Sequence, residues 1–354
     1  MDIMGSRTSN ALAMKRKVIQ IGESTQLVSL PRQWALKNGV KKGDEMEIEE
    51  NGSKLVLMCH RNMEPSKVTV DATGLDRDSL MFFIRALYKN GHDDITVMFK
   101  KKECENQRLG TKVPVLDVIR QEVSRLNGLE VFTQKADHCV IRTISEDTMK
   151  VFETMLRRIF LLAGEAIGEM IDGLEKGDPM LLSGIQGKHD LVTKFVSYCQ
   201  RLLNKSTTFN YARTSLLYLV LDCIDAMMDF VKYNARVALD WDKNASITAR
   251  GTRVQPLAKT PDASSATMEN RPSAETIEIC RIIHSAYTEC YALFYTFDIV
   301  KIASLNQRRH TLLQKIEAAQ RSVKKRDLAF ITNMEQVADY ILRITNARVS
   351  LEFI

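Results

Sequence analysis

The sequence has no two cysteines placed to act together. Cys59, Cys104, Cys139, Cys199, Cys223, Cys280 and Cys290 stand singly, their number is odd, and no two are three residues apart. That excludes a thiolate zinc ribbon and a disulfide framework, and free thiols fit a reducing, cytoplasmic interior. Nowhere is there an apolar run of the roughly 20 residues a spanning helix requires, so no membrane insertion is expected. Met1 to Ala13 is small and polar, without the apolar stretch of a signal peptide. Nucleophile-elbow, P-loop, paired-histidine zinc and dinucleotide fingerprints are absent, and the six histidines are dispersed. A non-enzymatic protein is expected. Charge of one sign is in only modest excess, +6 in 354 residues. Its location therefore matters more than its sum.

That location is the N-terminus. Between Met14 and Lys42 lie Lys15, Arg16, Lys17, Arg32, Lys37, Lys41 and Lys42 against Glu23 alone, an excess equal to that of the whole chain. The same stretch alternates like short strands. Val18 to Ile21 is broken by Gly22, and Leu27 to Leu30 is stopped by Pro31. Arg32 to Lys37 reads as a helical turn closed by Asn38-Gly39. Met46 to Glu49 and Lys54 to Leu57 flank Asn51-Gly52, a strong hairpin signal. Residues 14–60 form too small a unit to be secure alone and should dimerise or lean on a neighbour.

Gly22 after a basic strand, Leu30-Pro31 with Trp34, and Gly39-Val40-Lys41-Lys42-Gly43-Asp44 together resemble the AbrB/SpoVT/MazE family. The resemblance implies a swapped-hairpin β-barrel dimer that binds DNA, with Lys15, Arg16, Lys17, Arg32 and Lys37 as the DNA-binding residues. Cations on phosphates supply affinity that falls steeply with salt, and arginine can also fork onto guanine edges.

Residues 65–145 read as a small α+β domain. Its expected strands are Lys67–Asp71, Asp94–Phe99, Glu130–Gln134 and Cys139–Ile144, and its expected helices Asp76–Asn90 and Lys112–Asn127. Residues 147–239 and 273–354 are helical. They are separated at 240–272 by a polar linker carrying Pro256, Pro261 and Pro272. Val151, Met155, Ile159, Leu162, Ala166 and Met170 recur at helical spacing. Gly177 should end that helix, Asp178 cap the next and Pro179 open it. The two helical halves repeat weakly. Asp178 aligns with Asp298 at an offset of 120. Val220, Leu221, Ile224, Met227 and Val231 align with Phe330, Ile331, Met334, Val337 and Ile341 at an offset of 110.

In the same register Asp225 and Asp229 meet Glu335 and Asp339. At 100° per residue both pairs point away from the apolar stripe, on an accessible face. Tandem three-helix units with an acidic i, i+4 pair on each last helix resemble the PhoU family. That resemblance implies divalent or iron-type metal ions on these four residues. The chain departs from it where the middle helices usually add acids, having Lys188, His189 and Thr193 in one unit and Arg308, Arg309 and Leu313 in the other. The combined resemblance, to archaeal-type phosphate uptake regulators, implies a cytoplasmic homodimer that binds DNA. Its helical half would sense phosphate status or contact a phosphate transporter ATPase or signalling protein. A docking adaptor that touches no DNA is the alternative.

Overall fold

The computed structural model describes residues 15–51, 54–59, 65–145, 148–206, 209–239, 272–323 and 325–354. The expected linker lies outside them save for Pro272, as does Gly52 of the expected hairpin turn. Two compact units divide the chain, residues 1–64 and 65–354.

The first unit holds two antiparallel hairpins and one short helix. Strands β1 (Ile19–Ile21) and β2 (Thr25–Leu27) pair with Ile19 opposite Leu27, and Gly22 at φ +65° makes the bend. The second strand thus ends at Leu27 rather than beginning there, because the tight turn fixes the register. Helix α1 (Arg32–Lys37) follows Pro31, and β3 (Met46–Asn51) pairs with β4 (Lys54–Cys59). Within one chain the hairpins are separate two-stranded sheets; no closed barrel forms among the described residues.

The second unit opens with the α+β domain. Strands β5 (Lys67–Asp71) and β6 (Asp94–Met98) run parallel, joined through α2 (Arg77–Lys89). Strands β9 (Leu129–Gln134) and β10 (His138–Thr143) complete a sheet of order β5-β6-β10-β9. Between β6 and Val115 lies a hairpin that the sequence pattern does not predict, β7 (Glu103–Asn106) with β8 (Thr111–Pro114). It takes the residues expected to begin a helix at Lys112. Pro114 is extended at ψ 131°, so α3 starts at Val115 and ends at Ser124. Leu80, Ile84, Tyr88, Ile95, Val97, Ile119, Cys139 and Ile141 form the buried centre between helices and sheet.

Two antiparallel three-helix units follow: α4 (Phe152–Lys176), α5 (Pro179–Lys205) and α6 (Tyr211–Leu239), then α7 (Ala274–Tyr295), α8 (Ile299–Ser322) and α9 (Lys325–Glu352). Helices α6 and α9 share the long central seam, α4 packs on α7, and all five aligned residue pairs of the repeat are buried. The α4–α5 corner forms as the sequence implies. Gly177 is left-handed at φ +67°, and the Asp178 carboxylate accepts from the Met180 N–H at 2.8 Å. Asp298 caps α8 in the same way, accepting from Val300 N–H at 2.9 Å.

This local geometry sets opposite signs for two glycine replacements. Gly177→Ala is expected to cost about 1–2 kcal/mol, since a Cβ strains a left-handed residue. Gly184 lies mid-helix with nothing within 4 Å of an added Cβ, so Gly184→Ala should stabilise by roughly 0.5–1 kcal/mol. Urea unfolding of the two variants checks both signs.

Candidate nucleic-acid interface and the acidic pairs

The side-chain alternation of the first unit puts apolar residues on one face of each hairpin. Ile19, Ile21 and Leu27 share a face of β1–β2, and Ile48, Leu55 and Leu57 share a face of β3–β4. In a single chain both faces are open: Ile48 is 59% and Leu55 66% exposed, and no residue of this unit among those described is buried. The seven cations of the segment, Lys15, Arg16, Lys17, Arg32, Lys37, Lys41 and Lys42, are exposed too. Lys37 sits in the last turn of α1, where its charge favours the helix's negative end. An ammonium or guanidinium kept in water is available for phosphate oxygens.

In the helical body the four acidic residues are half-buried, and three of them are engaged by their neighbours. Thr193 of α5 donates its hydroxyl to Asp225 at 2.7 Å. His189 Nε2 lies 3.0 Å from Asp229 Oδ1, and the Lys232 ammonium, one turn along α6, also donates to Asp229. His189 Nδ1 faces Asp190 at 3.1 Å, and Asp190 in turn accepts from Arg125 of the α+β domain at 3.0 Å. In the second unit Arg309 donates to Asp339 at 3.1 Å. Three of the residues at which the middle helices depart from an acidic pattern, His189, Thr193 and Arg309, are therefore partners of the acidic pairs. The preceding cations match as well. Lys188 pairs with Glu165 and Glu169 of α4 at 3.1 and 3.2 Å, and Arg308 pairs with Glu289 of α7 at 2.8 Å. Among the described residues no three His, Cys, Asp or Glu side chains converge to hold a metal ion.

Burial pushes the Asp229 carboxyl up, but the hydrogen bond from His189 and the charge and hydrogen bond of Lys232 hold it down at about 2. Burial lowers Lys232, and the Asp229 charge opposes that. A carboxylate whose folded pKa is depressed stabilises fully above its ordinary value of 3.8, and that stability is lost as pH falls through about 2. Asp229→Asn should therefore flatten the fall in melting temperature between those two pH values. An acid melting series on both proteins checks this.

A residue absent from the sequence reading joins the helical body to the α+β domain. Arg201 of α5 is fully buried. It donates to the Tyr88 and His92 carbonyls at 3.0 and 2.7 Å, to Thr143 Oγ1 at 3.2 Å and to Asp93. Asn204 and Lys205 extend the seam, to the Lys89 carbonyl at 2.8 Å and to Asp93 at 2.7 Å. The available signal was an arginine surrounded by Val196, Cys199, Leu202 and Leu203 at helical spacing. Lys89 lies half-buried at the same seam, its pKa lowered by burial against the charges of Asp225 and Asp222. His92 Nδ1 pairs with Ser66 Oγ at 2.9 Å.

Residues 19–67 match the family described as antidote-toxin recognition MazE, bacterial antitoxin. The chain is similar in structure to the phosphate transport system regulatory protein PhoU from Streptococcus pneumoniae. That similarity is at 16% identity and a TM-score of 0.40, covering 57% of this chain and 94% of that one. It is also similar to PhoU from Pseudomonas aeruginosa, at 12% identity and a TM-score of 0.42, covering 58% and 97%. No curated protein matches it. The chain carries a MazE/AbrB-like domain at its N-terminus, and its helical part is similar in structure to PhoU proteins. No described helix is long and apolar enough to cross a membrane.

Proposed function

We propose that this chain is a DNA-binding regulator of phosphate uptake. Two copies of the N-terminal unit join through their open hairpin faces and present a doubled cationic surface to operator DNA. The helical body responds to phosphate status, or to a phosphate transporter ATPase or signalling protein, and changes how the DNA modules are held. The observation that carries the DNA half is the pairing of two features in one small unit: apolar faces that a single chain leaves wet, and seven exposed cations. The phosphate link comes from the sequence resemblance of the helical half to the PhoU family. Genome-wide occupancy of the tagged protein tests the reading. Occupancy upstream of phosphate-transport genes that changes with phosphate supply is expected, and no occupancy at any promoter would remove the DNA half.

A second reading has one observation in its favour. The matching N-terminal family is described by its recognition of a toxin, a protein partner, and an apolar hairpin face also suits a protein. In that reading the chain is an adaptor that docks on transporter or signalling proteins, and its captured partners survive nuclease treatment.

A further inference from the structure

Resident metal ions on Asp225, Asp229, Glu335 and Asp339 are what the PhoU resemblance implies, and the side chains around these residues do not fit them. A divalent ion at Asp229 would need the carboxylate oxygen and the imidazole nitrogen that face each other there. The Lys232 ammonium already contacts both, lying 2.9 Å from His189 Nε2 and donating to Asp229 Oδ1. It is 8% exposed, so it cannot swing into solvent without uncovering the site. Asp225 is engaged by the Thr193 hydroxyl. In the second unit the guanidinium of Arg309 holds Asp339.

These arrangements are equivalent under the internal repeat. His189 and Arg309 are 120 residues apart on the middle helices, and Asp229 and Asp339 are 110 apart on the last helices. Both offsets are those that align the two units. The neighbours Lys188 and Arg308 are likewise 120 apart, and each reaches a carboxylate of its unit's first helix. In each unit, adjacent residues of the middle helix thus reach carboxylates on either side: Lys188 and Arg308 those of the first helix, His189 and Arg309 one of the last. A protonated amine or guanidinium at such a position repels a second cation and occupies the lone pairs it would use.

We propose that the protein's own cations, Lys232 in the first unit and Arg309 in the second, stand in place of metal ions. The helical body holds its acidic pairs without metal, and the middle and last helices of each unit are tied by side-chain ion pairs. This stands apart from the DNA-binding reading, since it concerns metal content and body stability only.

Metal analysis and melting of the full chain test it. After chelation and dialysis against Mn²⁺ or Fe²⁺, the protein is expected to carry substoichiometric metal and to melt where the chelated protein melts. Arg309→Met and Lys232→Met, made separately, should each lower the melting temperature by leaving a half-buried carboxylate without its counter-ion. Stoichiometric metal in the parent chain that is lost in Asp229→Asn or Asp339→Asn would overturn the proposal. So would melting temperatures unmoved by both cation replacements.

Discussion

Replacing Arg201 with Met is expected to lower the unfolding free energy by about 3–5 kcal/mol, the cost of breaking a buried ion pair from one side. The change leaves the Tyr88 and His92 carbonyls and the Asp93 carboxylate without a donor that reaches them from the core of the seam. Burial raises the Asp93 carboxyl, but the Lys205 and Ser66 hydrogen bonds and the charges of Lys205 and Arg201 leave it below its ordinary value. Lys205 alone cannot fill the volume or supply the forked geometry. The internal repeat provides a control. Arg321 is 120 residues along, at the equivalent place on α8, and its side chain is 76% exposed in a pair with Glu317. Arg321→Met should change stability by no more than about 0.5 kcal/mol. Urea unfolding of both variants reads the difference. Equal effects would mean that Arg201 does not hold the α+β domain to the helical body.

The other large effect is expected in the first unit. Leu57→Lys places a charge at the centre of the apolar face that Leu57 shares with Ile48 and Leu55. Each such side chain contributes about 1.5–3 kcal/mol when it passes from water to a full contact. A lysine there both forfeits that gain and carries an unpaired charge into the joint between copies. The parent chain should sediment as a dimer and the variant as a monomer with its helical content intact. Glu47→Lys alters the opposite face of the same hairpin and should leave the dimer in place. A monomeric parent chain, or a dimeric Leu57→Lys protein, would remove the paired-hairpin account.

Much of this architecture is legible in the sequence because local signals agree with one another. Gly177, Asp178 and Pro179 mark a helix corner by backbone freedom, capping and fixed φ in three successive residues, and the corner forms there. The core positions of α6 and α9 follow from periodicity, which burial enforces. The β7–β8 hairpin is hidden because its strands have four residues each and only Cys104 and Asn106 are buried, too few to set an alternation. Pro114 was the usable sign that the helix begins after it and not at Lys112.

The acidic pairs illustrate the limit differently. Periodicity turns Asp225, Asp229, Glu335 and Asp339 away from the apolar stripe, but it says nothing of what another helix brings to that face, where they are half-buried. His189, Thr193 and Arg309 stood out in the sequence only as missing acids; three-dimensional pairing makes them the partners. Lys232, three residues from Asp229, was within reach of a helical-spacing argument. Arg201 depends on carbonyls more than 100 residues away in sequence, which no local pattern encodes.

The claim on which the account turns is that the exposed N-terminal cations bind DNA as a pair of copies. Anisotropy of a labelled promoter duplex with the full chain, across a range of salt concentrations, tests it most directly. The logarithm of affinity should fall linearly with the logarithm of salt. The Arg16→Ala, Arg32→Ala double variant should bind more weakly and along a shallower line, by up to about 3.6 in slope for four cations lost per dimer at 0.9 each. Binding that is absent at low salt, or a slope and affinity the same in the variant as in the parent, would contradict it.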